Sequence, residues 1–124
     1  MAPIPGIGID LIEIERLERA VARRPGLLQR LFSEAEIEAC ATRARPGRHL
    51  AARFAAKEAA LKALGIGGLR AREVEVAGGN DRPPRLVLHE TVAAEAARQG
   101  VELAVSLSHS RELATAVVVA KPST

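Results

Sequence analysis

The stretch His49-Leu50-Ala51-Ala52-Arg53-Phe54-Ala55-Ala56-Lys57-Glu58-Ala59-Ala60-Leu61-Lys62-Ala63-Leu64-Gly65 reads as one long helix. It is rich in alanine, the best helix former, and it stops at Gly65, a residue suited to the left-handed position that closes helices. At about 100° per residue, Leu50, Phe54, Leu61 and Leu64 line one stripe. Ala51, Ala55, Ala56, Ala59, Ala60 and Ala63 cover most of the remaining surface. A helix apolar on nearly every side must be packed on nearly every side. Three charges break the pattern: Lys57 in the middle of the leucine stripe, Glu58 at its edge, and Lys62 one turn beyond Glu58. Two readings of them stand. Glu58 and Lys62 form an i,i+4 pair while Lys57 snorkels to water, or the cluster marks a site.

Working outward toward the N-terminus, Ile4 to Ile9 alternates with Gly6 and Gly8 and predicts a short strand running into Asp10. From Leu11 to about Arg24, Ile14, Leu17 and Val21 recur at helical spacing, and Pro25-Gly26 ends the element. Asp10-Leu11-Ile12-Glu13 has capping-box spacing, so Asp10 is either a helix cap or a carboxylate with open space left by glycines on its own face. Ser33-Glu34-Ala35-Glu36 is a second capping box and opens a helix to about Arg43. Arg45-Pro46-Gly47-Arg48 reads as a loop.

On the other side, Val74 and Val76 predict a strand, Gly78-Gly79-Asn80-Asp81 a turn, and Leu86-Val87-Leu88 the returning strand. Glu90 to Gln99 is an alanine-rich helix closed by Gly100. Val101 to Ser108 alternates as a strand, and Ala114 to Ala120 pairs with it as a hairpin. The expected architecture is α+β, a small single domain over residues 1–124 with an antiparallel sheet packed against helices.

Hydrophobic residues make up 48% of the 124, enough for a buried core, but with two Phe, no Tyr and no Trp that core is built from Ala, Leu, Val and Ile. The lack of stacking aromatics argues against RNA or DNA as a partner. Lys and Arg number 18 against 15 Asp and Glu, an excess that suits an acidic partner or a phosphate-bearing ligand. Cys40 is alone, which fits a reducing compartment. No signal peptide or membrane span is read, so a cytoplasmic protein is expected. His49, His89 and His109 share no zinc-like spacing, and no Walker-type loop is present. His109, in Ser106-Leu107-Ser108-His109-Ser110, is either a turn residue or a donor to phosphate. Arg16, Arg19 and Arg23 share one face of the first helix, either as solvated residues or as a docking surface for an acidic partner. A pair of carboxylates such as Asp10 and Glu58 suits Mg²⁺, which completes its octahedron with water and substrate phosphates.

Three blocks resemble the holo-acyl-carrier-protein synthase family of phosphopantetheinyl transferases. They are Gly6-Ile7-Gly8-Ile9-Asp10-Leu11-Ile12-Glu13-Ile14-Glu15-Arg16, Arg53 through Gly67, and Val105-Ser106-Leu107-Ser108-His109-Ser110. Their order and spacing agree along essentially the whole chain. The resemblance implies transfer of 4′-phosphopantetheine from coenzyme A to a serine of an acyl carrier protein, in support of fatty acid or polyketide synthesis. It implies Asp10 and Glu58 as Mg²⁺ ligands and coenzyme A contacts from Arg45, Arg53, Lys62 and His109, with Arg48 beside them. Glu58, Lys62 and His109 become the catalytic candidates. It also implies carrier docking at Arg16, with Arg19 and Arg23 beside it, and a homotrimer whose sites lie between two subunits. The family tends to place Gly-Lys-Pro or Gly-Arg-Pro after the central turn. This chain has Arg82-Pro83-Pro84-Arg85, which removes a cation and a backbone donor at Pro83, and Arg82 or Arg85 stands near enough in sequence to compensate.

Overall fold

The computed structural model describes residues 6–79 and 81–123. Strand β1 runs Ile7–Glu13, followed by helices α1 (Ile14–Arg23), α2 (Leu27–Leu31), α3 (Glu34–Ala41) and α4 (Pro46–Leu64). A 3-10 turn at Ala71–Glu73 leads into β2 (Val74–Ala77), then β3 (Arg85–Leu88), α5 (Glu90–Gln99), β4 (Val101–His109) and β5 (Leu113–Pro122). The strands form two antiparallel sheets, one of three strands in the order β1-β5-β4 and one the β2-β3 hairpin. The α+β reading holds, with two sheets where one was expected.

Helix α4 is the centre. Eleven of its residues are buried, seven of them alanines, because the β1-β5-β4 sheet, the β2-β3 hairpin, α1, α3 and α5 all pack around it. One face of β1 meets it at glycines. A Cβ on Gly6 would overlap the carbonyl of Ala63, and one on Gly8 would overlap that of Ala59. The space beside Asp10 is therefore not open, as the sequence suggested; it is filled by the backbone of α4.

Three expectations about boundaries are corrected. The first strand continues through Asp10 to Glu13, pairing Asp10 with Ala116 and Glu13 with Leu113 of β5. Helix α1 begins only at Ile14, with Glu13 at its N-cap and no side-chain capping bond. Asp10 is thus a strand residue and no cap: seven ladder pairs with a strand a hundred residues away outweigh one local bond. Ile4, placed in that strand from the sequence, lies outside the described residues, as does Asn80 of the β2-β3 turn. The expected Arg45–Arg48 loop is the start of α4, whose first position is Pro46, where a missing N–H costs nothing. Helix α2 went unread because its five residues give too short a period.

The second capping box forms in full, with Ser33 N donating to Glu36 Oε1 at 2.9 Å and Glu36 N to Ser33 Oγ at 3.2 Å. Gly65 (φ 73°) and Gly100 (φ 70°) close α4 and α5 in left-handed geometry.

Because Gly8 of β1 and Gly6 just before it lie against the α4 backbone with no side chain between, Gly8→Ala is expected to destabilise the fold by roughly 1–3 kcal/mol. Gly67→Ala, where an added methyl meets nothing, is expected to change stability by no more than about 0.5 kcal/mol. Urea unfolding of the two variants measures the contrast.

Candidate functional site

The three charges of α4 have three different surroundings. Lys57 does not snorkel. It is 1% exposed, and its ammonium donates to Glu36 Oε1 at 2.8 Å and to the carbonyls of Ala71 and Val74. Glu36 in turn accepts from Val76 N at 2.9 Å through Oε2. Burial pushes the Lys57 ammonium below its usual range, and Glu36 partly offsets this. A buried ion is tolerated only when paired and fully hydrogen-bonded, and every Lys57 donor has an acceptor. This pair joins α3, α4, the 3-10 turn and β2, and it has no atom left for a substrate. The sequence signal was there in part: a lysine on a helix packed all round needs an acid, and Glu36 is the glutamate of the capping box.

Lys62 turns toward β1 instead of pairing with Glu58. Its Nζ donates to Asp10 Oδ1 at 3.1 Å and to the Ile9 carbonyl at 3.0 Å. The ammonium is exposed, while Asp10 is largely covered. Glu58 stands one turn before Lys62 on the same side of α4. Burial raises its carboxyl above the usual range, the negative charge of Asp10 raises it further, and Lys62 acts in the opposite direction. Asp10, Glu58 and Lys62 are therefore brought together as the sequence pattern expected.

Two hard oxygen donors on neighbouring carboxylates suit a small divalent cation. Among the described residues no cluster of three or more acidic, histidine or cysteine side chains exists. An ion held by Asp10 and Glu58 would therefore draw its other ligands from water or substrate oxygens.

A cationic group lies on the opposite flank of α4. His49 and Glu58 are nine residues apart, hence on opposite sides of the helix and roughly 13 Å apart along its axis. Asp10 lies on β1 and His109 on β4, with β5 between them. In register, Asp10 pairs with Ala116 and His109 with Ala114, so both lie on the sheet face that carries α4. Arg53 is 2% exposed; its Nη2 donates to the Gly78 carbonyl at 3.0 Å, and its Nε is buried without a partner among the described residues, as is Nε of Arg48. Orphaned buried N–H groups are rare, and two of them beside the start of α4 fit an incoming anion. His109, exposed at the end of β4, packs edge-to-face on His49 with centroids 5.3 Å apart. Arg45 is more heavily engaged: its Nε and Nη2 grip Glu18 at 3.2 and 3.0 Å, and its Nη1 donates to the Arg111 carbonyl at 2.7 Å. Two of its five N–H groups remain for a ligand.

Arg16, Arg19 and Arg23 share the exposed side of α1 as expected and line a shallow cavity with Ala20 and Arg24. An apolar groove of about 500 Å³ adjoins it, floored by Leu11, Leu17, Leu27, Leu31 and Leu69 and edged by Arg16 and Arg24. The groove depends on α2 and was invisible to a reading that stopped at Gly26.

The arrangement has the parts for phosphate chemistry: a carboxylate pair, an exposed ammonium, and a cluster of guanidinium and imidazole groups. A family model described as the 4′-phosphopantetheinyl transferase superfamily matches residues 6–118. The chain is 49% identical over 119 residues to the holo-[acyl-carrier-protein] synthase of Moorella thermoacetica, covering 94% of this chain and 93% of that one. It is also 49% identical over 120 residues to the enzyme of the same name from Streptomyces avermitilis, covering 95% and 98%. Among solved structures, an ACPS–CoA complex of Chronobacterium ammoniagenes superposes with a TM-score of 0.84 at 30% identity, over 98% of this chain and 100% of that one.

The Glu58 carboxyl, followed by carbon NMR in metal-free protein, is expected to titrate above the usual glutamate range. Asp10→Asn should lower its pKa, though not fully, since burial is the larger cause. Lys62→Met should raise it. A Glu58 that ignores both substitutions would separate it from the Asp10–Lys62 pair.

Proposed function

Because the chain belongs to the 4′-phosphopantetheinyl transferase superfamily, we propose that it transfers 4′-phosphopantetheine from coenzyme A to a serine of an apo-acyl carrier protein. The observation that carries this reading is the Asp10–Glu58–Lys62 group beside a cationic cluster with unsatisfied guanidinium N–H donors. The carrier serine oxygen attacks the β-phosphorus of coenzyme A, the bond to the bridging oxygen breaks, and adenosine 3′,5′-bisphosphate leaves. Asp10 and Glu58 would hold Mg²⁺, which when bound neutralises charge on the pyrophosphate.

The residues themselves have separable tasks in a reaction that is mostly positioning and charge stabilisation. Lys62, exposed and anchored at Asp10, offers its remaining N–H to the leaving phosphate. Glu58, one turn before Lys62 and beside Asp10, is the acceptor for the serine proton. Arg53 and His109 bind coenzyme A phosphates, with Arg45 contributing the two N–H groups that Glu18 and Arg111 leave free and Arg48 contributing its unpaired Nε. At the β2-β3 turn, Arg82 and Arg85 are exposed and offer the cation that Pro83 lacks.

The carboxylates and the cationic cluster occupy opposite flanks of α4, which favours sites completed between copies of the chain. The sheet supports a homotrimer. Its outer face exposes Ile7 and Ile9 of β1, in register with Val119 and Val117 of β5. An apolar face of this kind is a candidate interface. Carrier docking is placed on the other exposed feature, the arginine-rimmed groove of α1 and α2, where Arg16 meets acidic side chains of the carrier. Fatty acid or polyketide synthesis is the setting this activity serves, and the cytoplasm its expected compartment. No helix among the described residues is long and apolar enough to cross a membrane.

Mass spectrometry of apo-carrier protein incubated with coenzyme A, Mg²⁺ and this chain tests the activity; an unmodified carrier would overturn it. Asp10→Ala and Glu58→Ala are expected to lose nearly all transfer while remaining folded. If sites are shared, Asp10→Ala and Arg53→Ala subunits, each impaired alone, should regain part of the activity when co-assembled. Arg16→Glu is expected to raise the KM for carrier protein several-fold and leave the KM for coenzyme A unchanged. Its effect should weaken with salt, since charges at an interface rim are screened within about 8 Å at physiological ionic strength.

A further inference from the structure

We propose that His49 is a positioning residue for transfer: it holds the ring of His109 in the orientation that meets coenzyme A. The inference rests on the reading that His109 touches that substrate, and its own basis is the contact between the two rings. His109 is exposed at the last position of β4, and among the described residues its ring makes no hydrogen bond and no ion pair. A side chain so placed is free to rotate unless something packs against it. His49 does, with centroids 5.3 Å apart and planes at 81°, the edge-to-face arrangement that aromatic pairs prefer.

His49 is itself well fixed. It is half-buried in the first turn of α4, which is pinned by Pro46 and followed along the same side by buried Arg53. Its surroundings also set its charge. Burial, followed by Arg43, His109, Arg53 and Arg48, pushes its pKa below the usual histidine value. It is therefore neutral near pH 7 and adds no further repulsion to a cluster already rich in cations. The useful property at this position is a flat uncharged ring, and its proton chemistry is incidental. Nothing in the sequence signals this, because the two histidines are sixty residues apart.

His49→Ala, His49→Phe, His109→Ala and the double alanine variant test the proposal in the steady-state transfer assay. His49→Ala is expected to raise the KM for coenzyme A roughly 2–10-fold, the range set by losing one aromatic contact. The KM for carrier protein and the thermal midpoint should stay near wild type. His49→Phe should restore the coenzyme A KM, since it keeps the ring. Adding His49→Ala to His109→Ala should change nothing more, because His49 acts only through His109. If His109→Ala itself is silent, the placement of His109 at the substrate fails, and this inference with it. If His109→Ala impairs transfer while His49→Ala does not, His49 alone is excluded. An additive double variant, or a Phe variant no better than Ala, overturns the positioning role as well.

Discussion

The structure depends on how closely β1 can lie on α4. With no side chain at Gly6 and Gly8, and with methyl groups on most of the facing helix, strand and helix approach until their backbones touch. The sheet then inherits its position from that contact. β5 is zipped to β1 over seven residue pairs, and β4 to β5 over nine, so all three strands are placed relative to one helix. Glycine makes this possible, since a Cβ at Gly6 or Gly8 would overlap the backbone carbonyls of Ala63 and Ala59.

Charge on α4 is partitioned by what each flank meets. Toward the β2-β3 hairpin the helix is fully enclosed, and the one charge there, Lys57, is neutralised by Glu36 and by two carbonyls. Toward β1 the glycines leave a thinner wall, Asp10 is partly covered, and Lys62 remains exposed. Toward the end of β4, arginine and histidine side chains gather with donors still unsatisfied. A buried ion that is completely bonded stabilises architecture. Ions with unused hydrogen-bonding capacity and a path to solvent are the ones able to act on a ligand.

These flanks also divide the work of the proposed reaction. The carboxylates and Lys62 face one side of the helix, the cations proposed to bind phosphate the other, and the sheet presents an apolar outer face between its two edges. A single arrangement of copies that covers Ile7 and Ile9 would bury that face and let one chain's carboxylates stand near another's cations. The arginine-rimmed groove built by α1 and α2 reaches the sheet at Leu11 and α4 at Phe54, and its Arg16 and Arg24 edge is left open for the proposed protein partner.

Much of this was legible in the sequence because it is local or repetitive. The long alanine helix, the Ser33–Glu36 capping box, the hairpin strands and the closing glycines Gly65 and Gly100 each declare themselves within a few residues. The grouping of Glu58 and Lys62 follows from helical spacing alone. Asp10 is different: its neighbours satisfy a helix cap and a strand equally, and only the ladder with β5 decides for the strand. The partner of Lys57, the filled space beside Asp10, the engagement of Arg45 by Glu18 and the packing of His49 on His109 were likewise decided by tertiary structure. Each joins residues separated by 21 to 60 positions or by a strand crossing, and no local pattern encodes which distant group will fill a given space. The sequence by itself determined most of the elements that form and which residues are candidates for the chemistry; the close packing of β1 on α4 decided which of those residues meet.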